Sequence, residues 1–296
     1  MVVVWKENVM PKAPELKLGP ITITHGLSSL SRMAILMWGP SGVGKTTFAA
    51  TAPGKKLWLS MGDNEHVSVA HRDDVLVADY SGVGHRQLCE LGQSDDPFGL
   101  DSLLRNNVGI ASVVLDSATA VSYKALQQSV EKGIGRSVGF QPTMEFPGIS
   151  AYGGRNAITL QILTEVLKVT ARHNVHCIIT AHEDDPTWIK DGKSEVIDYI
   201  GMSLGGKIVN NTAWRLSEIW FMGQESTAEK KRFIAFRSTR KRKPMKTRMF
   251  TDKGLPEFYL SYDADVPDRG QMTIASFYEK WVAGGGKKLQ LPVKKK

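Results

Sequence analysis

The chain has 296 residues, 42% of them hydrophobic, and a formal net charge of +8, so its length and composition fit one large globular domain or two small ones. Cys89 and Cys177 are its only cysteines, and no apolar run approaches the roughly 18 residues of a membrane span. These features exclude a disulfide framework, a C-x-x-C zinc site and a transmembrane helix. Because the first 12 residues lack a signal-peptide pattern, we expect a soluble cytoplasmic protein without a membrane partner.

The positive charge is concentrated in two segments. Residues 229–248 contain ten Lys or Arg and one acid, and residues 287–296 contain five Lys and no acid, so the rest of the chain is mildly acidic. Concentrated positive charge indicates a polyanion partner. The alternative is a solvated basic surface in the first segment and, over residues 284–296, a flexible basic tail that is too polar to pack.

The motif that organises the chain follows an N-terminal extension, residues 1–30, in which residues 21–24 alternate like a short strand. An apolar run at 33–38 predicts a buried strand, and a helix at 47–51 is predicted to stop at Pro53-Gly54. Between them lies a match to G-x-x-x-x-G-K-[ST], the phosphate-binding loop. The predicted nucleotide-binding residues are Gly39, Pro40, Ser41, Gly42, Val43, Gly44, Lys45, Thr46 and Thr47.

The residue types of this loop suit a nucleoside triphosphate. Its glycines let successive backbone N–H groups turn inward around a phosphate. We expect Lys45 to reach the β- and γ-phosphates and the hydroxyl of Thr46 to hold Mg²⁺. ATP and Mg²⁺ are therefore the predicted cofactors.

A second candidate metal residue ends a later strand. Residues 111–115 are mostly apolar and include the β-branched Val113 and Val114, as in a strand buried on both faces of a parallel sheet, and Asp116 follows them. At the carboxyl end of such a strand Asp116 is placed to bind the Mg²⁺ shell, which makes Thr46 and Asp116 the predicted metal residues. A second role is compatible with the first: Asp116 or Ser117 is a good N-cap for a helix at 118–128.

The remaining pattern alternates strands with helices, which predicts an α/β fold with a mostly parallel central sheet between helices. The Lys- and Arg-rich turn after residue 237 predicts a C-terminal basic β-hairpin as an addition to that sheet. Two long segments, 133–154 and 184–206, have no regular pattern. Further elements are predicted as strands at 56–61, 75–78, 175–181 and 216–222, helices at 98–105, 155–173, 207–214 and 273–282, and a hairpin pairing 232–237 with 246–251.

The candidate site residues follow different predicted strands. The phosphate loop, Glu65, Asp116 and His182 each come just after one of them. Because parallel strands end at the same edge of a sheet, we expect these four sites to converge on one ligand.

The phosphate loop and the sequence Val-Val-Leu-Asp-Ser around Asp116 resemble those of RecA-core ATPases. The spacing is similar too, since Asp116 lies 71 residues after Lys45. The resemblance covers roughly residues 30–250 and implies a RecA-like P-loop NTPase domain over residues 31–283. The compact length is similar to that of phage RecA-like proteins of the single-strand-annealing (Sak-type) group.

The resemblance implies roles for further residues. Glu65 matches the glutamate that activates the attacking water, although Asp63 competes for this role, and His182 matches a γ-phosphate sensor. Lys246 and Arg248 resemble a Lys-x-Arg pair that enters a neighbouring subunit's nucleotide site. The implied catalytic set is therefore Lys45, Glu65, Asp116, His182, Lys246 and Arg248. The alternatives are a solvated acid for Glu65, a cap for His182, and DNA contacts or surface charge for Lys246 and Arg248.

The two irregular segments lie where RecA-like recombinases have their DNA-binding loops. In them, Phe140, Tyr152 and Trp188 are candidates either for stacking on unpaired bases or for packing. The resemblance implies a DNA-stimulated ATPase that binds single-stranded DNA, forms a homo-oligomer with nucleotide at its interfaces, and acts in recombination or annealing. Phage replication and recombination proteins would be further partners, in the cytoplasm of a bacterial host. The alternatives are a helicase or helicase-loader motor, and a nucleotide-switched protein-binding module.

Overall fold

The computed structural model describes residues 16–18, 21–23, 32–84, 88, 90, 99–107, 109–137, 139–191, 194–205, 208–224, 232–239, 241–250, 257–260 and 273–289. Within the predicted N-terminal extension, β1 (Leu16–Leu18) and β2 (Ile21–Ile23) form an antiparallel pair. Cys89, the start of the predicted helix at 98–105 and the tail beyond residue 289 lie outside the described residues. None of the helices in the described part of the chain combines the length and apolar character of a membrane span.

A mostly parallel sheet forms the centre of the domain. Its strands are β3 (Ala34–Gly39), β4 (Lys55–Ser60), β5 (Val75–Asp79), β6 (Ile110–Asp116), β7 (His176–His182), β10 (Glu218–Gln224), β11 (Arg232–Ala235) and β12 (Glu257–Leu260). Over the described residues the order is β12-β11-β10-β3-β7-β6-β4-β5. Pairing is parallel from β10 to β5 and antiparallel among β10, β11 and β12. The predicted α/β class is confirmed.

Helices cover both faces of the sheet. On one face pack α1 (Lys45–Ala49) and α6 (Ile274–Ala283), and on the other α2 (Leu100–Asn106), α3 (Ala118–Glu131), α4 (Gly148–Arg172) and α5 (Ile208–Ala213). Successive side chains of β3 point to opposite faces, with Leu36 and Trp38 in one core cluster and Ile35 and Met37 in the other. Burial on both sides explains why its sequence is an unbroken apolar run.

The helix predicted at 155–173 is longer than expected. Since α4 begins at Gly148, Tyr152 and the rest of 148–154 are helical and do not belong to an irregular segment. Glycines at 153 and 154 favour a loop on propensity alone. The structure gives a packing reason for Gly154, because a Cβ there would lie 2.7 Å from Ser129 Oγ on α3. Tertiary contact between the two helices overrides the local preference.

The predicted irregular segment 184–206 contains an antiparallel hairpin. Its strands are β8 (Thr187–Asp191) and β9 (Ser194–Tyr199), with Trp188 opposite Ile197. The sequence carries a signal for it, since the two residues between these strands, Gly192 and Lys193, have glycine first, as a type II′ hairpin turn prefers, and apolar residues lie on both sides. The prediction that this whole segment is irregular was wrong.

The basic hairpin has different strand partners from those predicted. Strand β11 pairs with β10 and β12, whereas Lys246 forms an antiparallel bridge with Ile219 of β10. Pro244 lacks an N–H group and cannot hold a regular ladder position, which disfavours a strand through this segment. The chain turns tightly here, with the N–H of Thr239 donating to the carbonyl of Arg242 at 2.9 Å.

The end of the described chain contacts the domain. After α6, residues 284–286 form a turn, and the N–H of Leu289 donates to the carbonyl of Met249 at 2.7 Å. The sequence prediction placed residues 284–289 in the flexible tail, but Leu289 bonds to the segment that follows Lys246.

Candidate nucleotide-binding site

The predicted site residues from four strand ends meet at one edge of the sheet. The phosphate loop follows β3, Glu65 follows β4, Asp116 ends β6 and His182 ends β7. Lys45 Nζ lies 3.5 Å from His182 Nδ1, and Thr46 Oγ1 lies 3.0 Å from Asp116 Oδ2. The sheet thus places side chains that are far apart in sequence within hydrogen-bonding distance.

The shape of the phosphate loop requires glycine at two positions. A Cβ on Gly39 would lie 2.0 Å from the carbonyl oxygen of Met222, so β10 passes too close for any side chain. Gly44 has a φ of 87°, in the left-handed region that glycine adopts without strain, and it leads directly into α1. These two residues fix the start and the end of the loop.

The lysine of the loop is buried and already bonded. Lys45 Nζ donates to the carbonyl oxygens of Gly39 at 2.9 Å and Pro40 at 2.6 Å. Burial lowers the pKa of Lys45 to about 8, although the charges of Asp116 and Glu183 act in the opposite direction. The ammonium form therefore still dominates at neutral pH, as a phosphate-binding lysine requires.

Asp116 is held by two hydroxyl groups. Thr46 Oγ1 donates to one carboxylate oxygen at 3.0 Å, and Thr180 Oγ1 donates to the other. Burial, together with the nearby charge of Glu65, raises the pKa of Asp116 to about 6. A buried carboxylate beside a threonine hydroxyl offers the hard oxygen ligands that Mg²⁺ prefers.

The described residues contain no group of three or more His, Cys, Asp or Glu that could hold a metal ion. The donor set at Thr46 and Asp116 is smaller, and Mg²⁺ is commonly held by one or two protein oxygens together with water and substrate phosphates. The residues present fit that mode of binding.

Glu65 is fixed through both carboxylate oxygens. Oε1 accepts a hydrogen bond from Ser117 Oγ at 3.0 Å, and Oε2 accepts one from the N–H of Gly62 at 3.0 Å. Asp63, its competitor for the role of base, is exposed. Ser117 also caps α3, since its Oγ accepts from the N–H of Ala120 at 3.2 Å. The cap therefore belongs to Ser117, which leaves the Asp116 carboxylate to Thr46 and Thr180.

Three contributors were missed by the sequence prediction. Thr180 binds Asp116, Thr119 Oγ1 accepts from the backbone N–H of His182 at 2.9 Å, and the Arg232 guanidinium lies against Gly44. Thr180 could have been found, because residues two apart on a strand share a face and His182 was already singled out. Arg232 had no such signal, since its position depends on which strand β11 pairs with.

Lys246 and Arg248 do not join this cluster within the subunit. Lys246 forms the bridge with Ile219, near the amino end of β10, and Arg248 lies two residues further on, whereas the phosphate loop lies at the carboxyl edge of the sheet. Lys246 Nζ donates to the carbonyl oxygens of Ala213 and Leu216 at 3.1 and 2.8 Å, around the end of α5. The Arg248 side chain is exposed.

The predicted stacking residues are accessible. Phe140, Tyr152 and Trp188 are 39%, 41% and 54% exposed. The Arg155 guanidinium lies 4.9 Å from the Tyr152 ring centroid. Helix α3, which precedes Phe140 and Tyr152, begins two residues after Asp116, and hairpin β8–β9, which carries Trp188, begins five residues after His182. Both elements therefore start near the edge that carries the phosphate loop.

Comparison with known proteins adds a family match. The model of a family described as AAA domain (AAA_24) matches residues 31–248. No curated protein gave a significant match. Among solved structures, the RadB recombinase has 12% identity over 78% of this chain and 90% of its own, with a TM-score of 0.39. A KaiC-like protein from the hyperthermophilic archaeon Pyrococcus horikoshii OT3 has 12% identity over 79% and 87%, with a TM-score of 0.41.

Proposed function

Because the chain belongs to the AAA_24 family, described as AAA domain, we propose that it is a Mg²⁺-dependent ATPase that binds single-stranded DNA and acts in DNA recombination or annealing. The observation that carries the ATPase proposal is that, at the end of the phosphate loop, Lys45 meets His182 and Thr46 meets Asp116. Such loops bind the phosphates of nucleoside triphosphates.

In this proposal each residue has a separate task. Lys45 gives up its bonds to the carbonyls of Gly39 and Pro40 and neutralises the β- and γ-phosphates. Thr46 and Asp116 would hold Mg²⁺, which would supply positive charge to the phosphate oxygens. Glu65 accepts the proton of the attacking water, from a position fixed by Ser117 and Gly62.

His182 is proposed to sense the γ-phosphate. Burial and the nearby charge of Lys45 lower the pKa of His182, so its imidazole is neutral at physiological pH and donates a single N–H. Only four residues separate it from β8, which carries Trp188. Loss of the γ-phosphate would alter the position of His182 and, through the short connection, of the hairpin.

Exposed aromatic rings and cations support a single-stranded DNA ligand. Trp188 and Lys190 are exposed on the β8–β9 hairpin, and Tyr152 lies beside Arg155 at the start of α4. Unpaired bases stack on aromatic rings with about 1–3 kcal/mol per base, and a cationic groove follows the phosphates. The chain's net charge of +8 also favours binding of the negatively charged DNA backbone.

The proposal includes a homo-oligomer, and the position of Arg248 supports it. Its side chain is exposed and lies away from the phosphate loop of its own subunit. In the proposed assembly it enters the nucleotide site of a neighbour, where an added cation stabilises the charge of phosphoryl transfer.

The decisive experiment measures ATP turnover with Mg²⁺ or with EDTA, and with or without single-stranded DNA, for the wild-type and Lys45→Ala proteins. We expect turnover that requires Mg²⁺, increases with DNA and is abolished in Lys45→Ala. DNA affinity should fall steeply with salt, as phosphate contacts require. Equal turnover in Lys45→Ala would contradict the nucleotide site, and salt-insensitive or absent DNA binding would contradict the DNA ligand.

A further inference from the structure

The side chain of Arg232 lies directly against the phosphate loop. A Cβ placed on Gly44 would come within 2.8 Å of Arg232 Nη1 and 3.1 Å of Cζ. Arg232 begins β11 and pairs with Gln224 of β10. Strand β10 also contacts the loop, because the carbonyl of Met222 lies close to Gly39. The contact thus joins the loop to two strands from much later in the chain.

The register of β11 explains the direction of the side chain. Ile234 and Phe236, two and four residues on, pack with Phe48 of α1 in one core cluster. Alternate residues of a strand share a face, so Arg232 belongs to the face that α1 covers. Its guanidinium lies beside Gly44, the last glycine of the loop and the residue before Lys45.

Arg232 and Asp116 flank the loop from opposite sides. In the sheet, β10 and β11 lie on one side of β3, whereas β7, β6 and β4 lie on the other. The proposed Mg²⁺ residue Asp116 and the proposed base Glu65 follow β6 and β4. A triphosphate with its γ-phosphate toward these carboxylates has its α-phosphate toward β10 and β11.

We propose that Arg232 binds the α-phosphate of the nucleotide held in its own subunit. The inference rests on the proposed nucleotide site and adds to it a second cation at the end remote from the metal. A guanidinium presents a planar fork of N–H donors that matches two phosphate oxygens, which a lysine cannot reproduce.

Binding at the α-phosphate has a distinct kinetic signature. ATP and ADP share this group, and it keeps the same bonds while the γ-phosphate is transferred. An interaction that is equally strong in substrate and transition state changes KM and leaves kcat alone. Arg232 would therefore hold both nucleotides without taking part in hydrolysis.

The test compares Arg232→Ala, Arg232→Lys and the wild type, using a fluorescent ADP and a fluorescent non-hydrolysable ATP analogue. Arg237→Ala is the matched control, because Arg237 follows the other end of β11 and its loss removes the same charge. We expect Arg232→Ala to weaken both nucleotides by the same factor, about 10–100-fold, as for charge-assisted hydrogen bonds. Arg232→Lys should lose part of this affinity for both nucleotides, and its KM for ATP should rise by a similar factor.

Unchanged affinity in Arg232→Ala, in a protein with a wild-type thermal unfolding curve, would overturn the proposal. So would a loss confined to the ATP analogue, which would assign Arg232 to the γ-phosphate. If Arg232→Ala does not fold, the test uses Arg232→Lys. A loss of affinity that is the same for ADP and for the ATP analogue supports the proposal, and wild-type affinity for both overturns it. A wild-type protein that binds neither nucleotide would contradict the proposed ATPase function itself, which is a different result from any of these.

Discussion

Ser117 Oγ donates a hydrogen bond to Glu65 Oε1 at 3.0 Å, and the same oxygen caps α3 by accepting from the N–H of Ala120. The proposed base is thus anchored to the residue that directly follows the proposed metal ligand, Asp116. Because Ser117 is buried, Glu65 is held close to the phosphate loop before nucleotide binds.

Replacing Glu65 by Gln should leave ATP binding intact and slow hydrolysis by roughly 10²–10⁴-fold, since an amide cannot accept the water proton. Asp63→Asn is the matched control, because Asp63 is two residues away but exposed. Single-turnover hydrolysis and nucleotide affinity should be measured for both variants. If Asp63→Asn is the slow enzyme and Glu65→Gln is not, the base has been assigned to the wrong acid.

Asp116→Asn should stabilise the nucleotide-free protein at alkaline pH while abolishing Mg²⁺-dependent turnover. Burial raises the pKa of Asp116 from 3.8 to about 6, so its ionised form destabilises the fold above that pH. The penalty, up to about 3 kcal/mol, is relieved as the pH falls through about 6 and Asp116 takes up a proton. The gain in unfolding temperature should therefore be present at pH 8 and shrink below pH 6.

Thermal unfolding followed by circular dichroism between pH 5 and pH 8 measures this effect. Asp63→Asn again serves as control, because an exposed carboxylate should give little change at any pH. A gain for Asp116→Asn that grows as the pH falls would contradict the assigned direction of the pKa shift.

Glu218→Gln should destabilise the segment that carries Arg248. Glu218 is fully buried; its Oε2 accepts from Trp220 Nε1 and its Oε1 from the N–H of Arg248, both at 2.8 Å. An amide NH₂ must face one of these donors and leave it unpaired, at a cost of about 1–3 kcal/mol. Urea unfolding, followed by tryptophan fluorescence, should show a lower midpoint than for exposed Glu131→Gln. Equal midpoints would mean that the segment is anchored elsewhere.

Arg248→Ala mixed with Lys45→Ala should recover ATPase activity that neither protein has alone. A mixed oligomer pairs an intact phosphate loop on one subunit with an intact Arg248 on the next, and such an arginine can raise the rate by roughly 10³–10⁵. Absence of recovery, in a mixture that sizing shows to co-assemble, would assign Arg248 to DNA or to the surface.

Lys246→Ala provides a contrast to Arg248→Ala. Because Lys246 Nζ bonds the carbonyls of Ala213 and Leu216, its loss should lower the unfolding temperature, whereas Arg248→Ala should not. Similar unfolding temperatures for Lys246→Ala and the wild type would show that these two bonds do not stabilise the fold.

The sequence was sufficient to predict that the site residues converge, because residues that follow parallel strands lie at the same carboxyl edge of the sheet. Lys45, Asp116 and His182 each end or follow an apolar run, and a parallel sheet brings such ends together. The sequence was insufficient where lateral pairing decides the outcome. Arg232 reaches Gly44 only because β11 pairs with β10, and no local pattern reveals that pairing.

Glycine illustrates the same limit within a helix. At Gly154 a local reading favours a loop, but the helix needs the absence of a side chain to approach Ser129. Ser129, the residue that excludes a side chain at Gly154, lies on a different helix. Helix propensity alone therefore places the start of α4 too late in the chain.

Strand β3, which leads into the phosphate loop, pairs with β7 and β10, and both come much later in the chain. Met33 N–H bonds His176 Nδ1 across 143 residues, and Ala34 N–H bonds Ser217 Oγ across 183 residues. During synthesis at about 5–20 residues per second, β3 therefore waits roughly 10–40 s before both neighbouring strands exist. Until β7 and then β10 have been synthesised, the apolar residues of β3 have no complete sheet to bury them, and unpaired strands with exposed apolar residues are prone to aggregate.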